Sequence, residues 1–514
     1  MNNPAHSGSA PDHEIAIVGG GFSGIGAAIA LRRSGIDDLI VLEEGDGVGG
    51  AWHWNTYPGV AVDIPSFSYQ FSYEQRSDWS RVYAPGQELK AYAESCVDRY
   101  ALRPRIRLNT RVTAATFDDT QHLWRLDTAT GETIRARHVI GATGVLTQPK
   151  PPAIDGLEDF AGATMHTARW DHAMDLRGKR VAVIGTGASA VQVIPTIAPD
   201  VASLTVFQRT PIWCLPKPDA ALSAPLRAVL RWIPGARWAF RALSQAYVEL
   251  TFPLAAHYAS MLPLASGGER IGLGHLRRQV RDPGVRAKLT PSYSLGCKRP
   301  SFSNDYLSTF NRDNVQLVTS PISRLTPDGV ETSDGATHQI DVLILATGFK
   351  VFEVGNMPPF PVAGAGGADL SGFWTENRFQ AYEGVSVPGF PNFFTILGPY
   401  GYNGASYFTL IENQMRHIVR CLRHARSRNA TRVEITPEAN RRYFEQVLGR
   451  RHRQVFFHGA CQGANSYYFD VHGDAPFRPA STLEAAWRSA RYNLDDYRFE
   501  AVPARRSDPV AAQA

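Results

Sequence analysis

The apolar pattern of the chain first becomes regular at residues 14–18 (EIAIV), an unbroken run of the kind that fills a buried strand. The run enters GGGFSG at 19–24, and a helix is predicted over 25–33. Gly19, Gly21 and Gly24 thus fill GxGxxG: one glycine for the tight turn, one for backbone approach to a pyrophosphate, one for close helix-to-strand packing. A second strand, 38–42, ends on Glu43, nineteen positions after Gly24 and placed to accept from ribose hydroxyls. The series recurs at 180–184 (RVAVI), with Gly185, Gly187 and Ala190 in the turn, a helix to about 198 and a strand over 203–207. That strand leads into Gln208, Arg209 and Thr210 in place of an acid. A guanidinium at this offset suits a ribose 2′-phosphate, which favours NADPH over NADH.

Apolar runs closing on Thr-Gly at 140–144 and 343–348 have the form of strands that return the chain to each nucleotide unit. Between 222 and 289 neither unit is recognisable. Helical spacing there, with Arg227, Arg231, Arg237 and Arg241 among Leu, Trp and Phe, predicts an inserted helical subdomain. Its plain reading is a packed helix with a solvated basic face; the sharper one is a substrate lid or a surface that rests on anionic lipid.

At 514 residues the chain has room for two or three domains. The fold class expected is α/β, with two Rossmann-like dinucleotide-binding domains and the helical insertion at about 219–290. The first domain takes 1–150 and 341–502, the second 151–340, and 503–514 reads as a flexible tail. The excess of 53 Lys+Arg over 48 Asp+Glu is too small for nucleic-acid binding. Residues 1–14 lack the pattern of a secretory signal, and no run reaches the ~18 apolar residues of a membrane helix. Cys96, Cys214, Cys297, Cys421 and Cys461 fall singly, so neither a disulfide framework nor a thiolate metal site is expected, and a cytoplasmic location fits. No pattern sets an oligomeric state. FAD held in the first unit and NADPH in the second place a hydride donor near a flavin acceptor, which makes a flavoprotein oxidoreductase. With no two cysteines near one another in the sequence, a dithiol-disulfide reductase is excluded.

Phe160, Gly162, His166, Trp170 and Asp171 fill FxGxxxHxxxW(P/D), the fingerprint of type I Baeyer–Villiger monooxygenases. A second pattern of that family, (A/G)GxWxxxx(F/Y)P(G/M)xxxD, is met by Gly49, Gly50, Trp52, Tyr57, Pro58, Gly59 and Asp63. The resemblance runs on through residues 109–112, 208–211, 296–300, 311–315 and 346–349. One departure is Thr56, where relatives often carry Arg.

The resemblance implies an enzyme that uses FAD, NADPH and O2 to convert a ketone to an ester or lactone through a C4a-peroxyflavin. It makes Arg299 the catalytic arginine and Asp63 the carboxylate that pairs with it, and sets Lys298 beside Arg209 on the 2′-phosphate. It places Gly50, Trp52, Tyr69 and Val112 on the flavin side, and gives His166 a structural or hinge role in the linker. The alternatives are oxygenation of S or N in soft nucleophiles, against which Trp170-Asp171 argues, and an uncoupled NADPH oxidase, against which Arg299 and Asp63 argue. The ketone and the regiochemistry stay open.

Overall fold

The computed structural model describes residues 10–502 apart from Pro263 and Gln462, so the tail expected at 503–514 lies outside the described residues. Two sheets organise them. In the first, His13–Val18 lies between Leu39–Leu42 and Thr133–Gly141, parallel to both, with Ile15 opposite Leu39 and Val18 opposite Leu42. Ile15, Ala16 and Ile17 are fully buried because the strand is covered on both faces, which is why it reads as continuous rather than alternating. Val112–Asp118 and Leu123–Thr128 extend this sheet antiparallel beyond Thr133–Gly141. Phe393–Thr395 also joins Thr133–Gly141 in parallel, so the sheet draws on both ends of the chain.

The second sheet has five strands, all parallel, in the order Val315–Val318, Ser203–Phe207, Arg180–Ile184, Val342–Leu345, Ala163–His166. The α/β class with two Rossmann-like units is therefore what the chain adopts. The two glycine turns share one geometry: Gly19 has φ +111° and Gly185 φ +116°, a region open to glycine and strained for other residues. A Cβ on Gly24 would stand 1.8 Å from the carbonyl oxygen of Gly19, which is the close helix-to-strand packing expected of the third glycine.

The helical insertion comprises Ala224–Trp232, Ala236–Thr251, Pro253–His257, Leu264–Gln279 and Pro283–Leu289. Its arginines do not form one solvated basic face. The Arg241 guanidinium is buried and donates to the Gln70 carbonyl at 2.7 Å, and Arg237, though exposed, donates to the Gln75 carbonyl at 2.7 Å, while Arg227 and Arg231 are exposed on the preceding helix. Ser244 adds a bond of 2.7 Å to Ser68, so one face of Ala236–Thr251 is tied down over residues 68–75. Burial pushes His257 down to about 4, so the ring is neutral; its Nε2 donates to the Asn403 carbonyl and its Nδ1 accepts from Gln454.

The cysteine reading needs correction. Cys297 and Cys461, 164 residues apart, are joined by a disulfide with Cα atoms 5.2 Å apart, while Cys96, Cys214 and Cys421 are buried free thiols. Sequence spacing carries no information about a contact at that separation; only the packing of the C-terminal segment against the loop before Lys298 creates it.

Gly24→Ala should destabilise the protein by about 1–3 kcal/mol, because the methyl has backbone rather than a movable side chain in its way. The midpoint of urea unfolding checks this, with Gly449→Ala as a control for added volume, since that glycine faces open space at an ordinary backbone angle.

Candidate active site

The glycine turns deliver two helix ends with unspent donors. The helices Phe22–Arg33 and Ala188–Ile197 both begin at an extended glycine, Gly21 and Gly187, with no side-chain cap and no acid in the first turn. Their leading N–H groups and the positive end of each helix dipole are therefore left for an anion. Around the first turn the backbone is dense: Gly50 packs its Cα against Gly21, where a Cβ would come within 2.9 Å, and Gly49 donates to the Gly20 carbonyl. This fixes the short helix Ala51–Trp54, from which Trp52 Nε1 donates to the Tyr69 hydroxyl at 3.2 Å with the two rings edge-on. Burial raises the Tyr69 hydroxyl far above its ordinary pKa, so it stays a neutral phenol.

Glu43 is buried, and burial pushes its carboxyl above the usual range, against the pull of the Gly45 and Gly20 amides that donate to it. The carboxylate thus holds the glycine turn, a task that ribose contact alone does not require. Val112 begins its strand beside this loop and buries its side chain in the core, with Thr110 donating to the Glu43 carbonyl. In the second unit Ala190 is fully buried, and the Thr210 carbonyl accepts from Thr186 in the glycine turn. The Thr210 hydroxyl accepts from Asn465, which ties this strand end to the C-terminal segment.

Asp63 is positioned by a loop that docks onto the second unit. Tyr57, buried, donates its hydroxyl to Gln192 Oε1 at 2.9 Å, and Gln192 Nε2 donates to the Ala61 carbonyl at 2.9 Å. Gly59, at φ +82°, lies so close to the helix carrying Gln192 that a Cβ would stand 2.8 Å from the Gln192 carbonyl oxygen. The departure at Thr56 is accommodated here, since its hydroxyl shares a hydrogen bond of 2.8 Å with His172 just beyond Trp170-Asp171. His166, expected in a linker, instead lies on the edge strand of the second sheet, its Nδ1 accepting from the Ala168 amide and its ring edge-on to Phe349.

Arg299 comes from the facing side. Its loop is held at one end by the Cys297–Cys461 disulfide and at the other by Ser301–Phe302, which pairs with Cys214–Leu215. Arg299 Nε and Nη2 both reach Asp63 Oδ2, at 2.8 and 2.7 Å, and Nη1 donates to the Tyr402 hydroxyl at 3.4 Å. Burial alone would weaken the guanidinium's hold on its proton; the Asp63 carboxylate and the Tyr402, Tyr468 and Tyr467 hydroxyls outweigh it and set the pKa well above the ordinary arginine value. The result is a permanent cation, oriented from one edge by a carboxylate and by phenols elsewhere.

Lys298 is in a different position. Burial, and then the charge of Arg209, push its ammonium down to about 8. Among the described residues neither Lys298 nor Arg209 has a carboxylate within ion-pair distance, so two neighbouring cations stand without an anion. Tyr402, Tyr467, Tyr468 and the cysteine pair were missed by sequence reasoning. Only Tyr402 lay in a stretch with a signal, the Gly-rich and aromatic turn at 398–404.

A family model described as pyridine nucleotide-disulphide oxidoreductase matches residues 16–231. The cysteines in that span, Cys96 and Cys214, are unpaired and buried, so the match there carries no redox dithiol. A Baeyer–Villiger monooxygenase of Pseudomonas aeruginosa is 37% identical over 455 residues, covering 87% of this chain and 84% of its own length. Another, of Streptomyces coelicolor, is 37% identical over 487 residues, with coverage of 94% and 92%. Among solved structures, that of cyclohexanone monooxygenase from Rhodococcus sp. Phi1 bound to NADP+ matches with a TM-score of 0.84 and 28% identity, over 95% of this chain and 99% of that one.

Asp63→Asn should destabilise the protein by about 1–3 kcal/mol by leaving the half-buried Arg299 charge without its counter-ion, and Asp63→Glu by less. Urea unfolding of the purified variants measures both; equal midpoints for all three proteins would contradict the pairing.

Proposed function

The chain belongs to the Baeyer–Villiger monooxygenase family, and from that premise we propose that Arg299 and Asp63 serve the reaction ketone + O2 + NADPH + H+ → ester or lactone + NADP+ + water. The observation that carries this reading is the charged contact between Arg299 and Asp63, made where the loop at 57–63 meets the second nucleotide unit.

The residues present fit both cofactors. The open helix end at Gly21 and the turn held by Glu43 suit the pyrophosphate and ribose of FAD, and the Trp52–Tyr69 pair supplies aromatic surface for its ring system. The helix end at Gly187 suits the pyrophosphate of NADPH, and the unpaired Lys298 and Arg209 suit its 2′-phosphate. The chemistry that FAD supplies when bound is acceptance of hydride from NADPH and delivery of those electrons to O2.

The chain's own contribution is electrostatic. The Arg299 guanidinium offers a fixed positive charge to oxygen-centred negative charge, and it needs no proton bookkeeping, because it stays charged at any working pH. Asp63 is a positioning residue: by binding Nε and Nη2 it fixes the plane of the guanidinium and leaves Nη1, shared with Tyr402, as the donor edge. Tyr467 and Tyr468 remain protonated, since burial raises Tyr467 to about 12 and Tyr468 well above its ordinary value, so they add no negative charge beside the cation. We place the enzyme in the cytoplasm, with the Cys297–Cys461 disulfide buried away from its reductants.

Arg299→Ala should lower ester formation by about 10²-fold or more while NADPH oxidation continues and its electrons appear as hydrogen peroxide. Gas chromatography of the product and a peroxide assay, run together on a ketone panel, measure the split. Conversion of sulfides or amines alone by the wild type would overturn the ketone reading.

Lys298 gives a pH test. Its ammonium is charged below pH 8 and neutral above it, so kcat/KM for NADPH should fall between pH 7 and 9 while that for NADH stays flat. Lys298→Arg should remove the fall by holding the charge, and Lys298→Ala should give the low NADPH value across the range. A fall of equal size for NADH would assign the titration to another group.

A further inference from the structure

Among the described residues no helix is long and apolar enough to cross a membrane. The insertion nevertheless exposes a surface that water alone does not explain. On the helix Ala236–Thr251 the exposed Trp238, Ala239, Ala242, Leu243, Ala246 and Leu250 are all apolar and share one side, while Arg237 and Thr251, also exposed, lie off that side at the two ends. Trp238 and Leu243 are each 71% exposed, and Trp232, just before the turn that starts this helix, is 70% exposed with Ile233 beside it. The opposite side is the one tied to Gln70 and Ser68 through Arg241 and Ser244, so the apolar side cannot be the inward one misplaced. At the far end Glu249 accepts from the amide and hydroxyl of Thr482. That contact brings in a second helix, Thr482–Arg491, whose exposed Leu483 and Trp487 lie one turn apart. Leu483 and Trp487 thus lie on a helix that is joined to the C-terminal end of Ala236–Thr251.

Charge identifies what this surface meets. Residues 220–290 hold ten Lys and Arg against three Asp and Glu, a net of +7, although the whole chain carries +5. Arg227 and Arg231 are exposed on the helix Ala224–Trp232, and Arg231 lies over the Trp232 ring at 4.9 Å. A second copy placed symmetrically on this face would bring like charges together. An anionic phospholipid surface satisfies both features, with tryptophan and leucine entering the headgroup boundary and arginine meeting phosphate.

We infer that the outer face of the insertion is a docking surface for anionic lipid bilayers, through Trp232, Ile233, Trp238, Leu243 and Leu250 with Arg227 and Arg231 beside them. The inner face of the same helix bonds the residues on either side of Tyr69, so the surface that rests on lipid is the outside of the layer covering the candidate site.

The test is flotation of the holoenzyme with phosphatidylcholine vesicles, with and without phosphatidylglycerol, together with tryptophan emission. Vesicle binding is read without turnover, so its outcome is separate from that of the oxygenase reading. The wild type should float with the anionic vesicles and shift its emission to the blue. Trp232→Ser/Trp238→Ser/Leu243→Ser should lower the partition coefficient at least about tenfold, with flavin content and NADPH oxidation in buffer unchanged. Arg227→Ala and Arg231→Ala should each lower it about fivefold on anionic vesicles only. A wild type that stays in the soluble fraction with both compositions overturns the inference. If sedimentation velocity also shows a dimer that the triple variant abolishes, the face belongs to a second copy.

Discussion

A guanidinium and a carboxylate from residues 236 positions apart meet where the two nucleotide units face each other, and the placing of the other site residues follows from that contact. Asp63 stands there because Tyr57, Gly59 and Ala61 are fastened to the helix that carries Gln192. Arg299 stands there because its loop is gripped on one side by the Cys297–Cys461 pair and on the other by the short strand at 301–302. Neither ion suits its half-buried position alone, since burial without a partner penalises charge. The pair therefore fixes the relation of the two units as well as the direction of the cation.

The neighbouring Lys298 shows what happens without such a partner. One residue along the same loop, it has a second cation beside it instead of a carboxylate, and its pKa falls where that of Arg299 rises. A structure that leaves two cations together forgoes stability unless a ligand neutralises them. A phosphate arriving with the nicotinamide cofactor would do so, and would pull the ammonium back towards full charge. On the proposed reading, adjacent residues of one sequence motif would divide the work, one kept charged by the protein and the other by its ligand.

Much of this was legible in the chain because it is local. The two glycine turns follow from strand, glycine and helix periods within about thirty residues, and in the structure Gly19 and Gly185 share one backbone angle. Asp63, Arg299 and Lys298 were legible only through their places in family patterns, since nothing in spacing alone brings 63 to 299. What stayed hidden depends on long-range packing. The cysteine pair needs the C-terminal segment to fold back, and Tyr467 and Tyr468 reach the arginine by the same route. The insertion was misread in part because a helical period shows which residues share a side but not which side is covered. Arg237 and Arg241 turned out to anchor the helix, and the tryptophans and leucines were left outside.

The central claim is that Arg299 and Asp63 act as one unit in directing oxygen to the ketone. A double-mutant cycle on ester formed per NADPH consumed, using wild type, Asp63→Asn, Arg299→Lys and the double variant, tests it most directly. Each single substitution should lower the ratio strongly, and the second should lower it little further once the first has been made. Losses that simply multiply would show two independent residues and contradict the account.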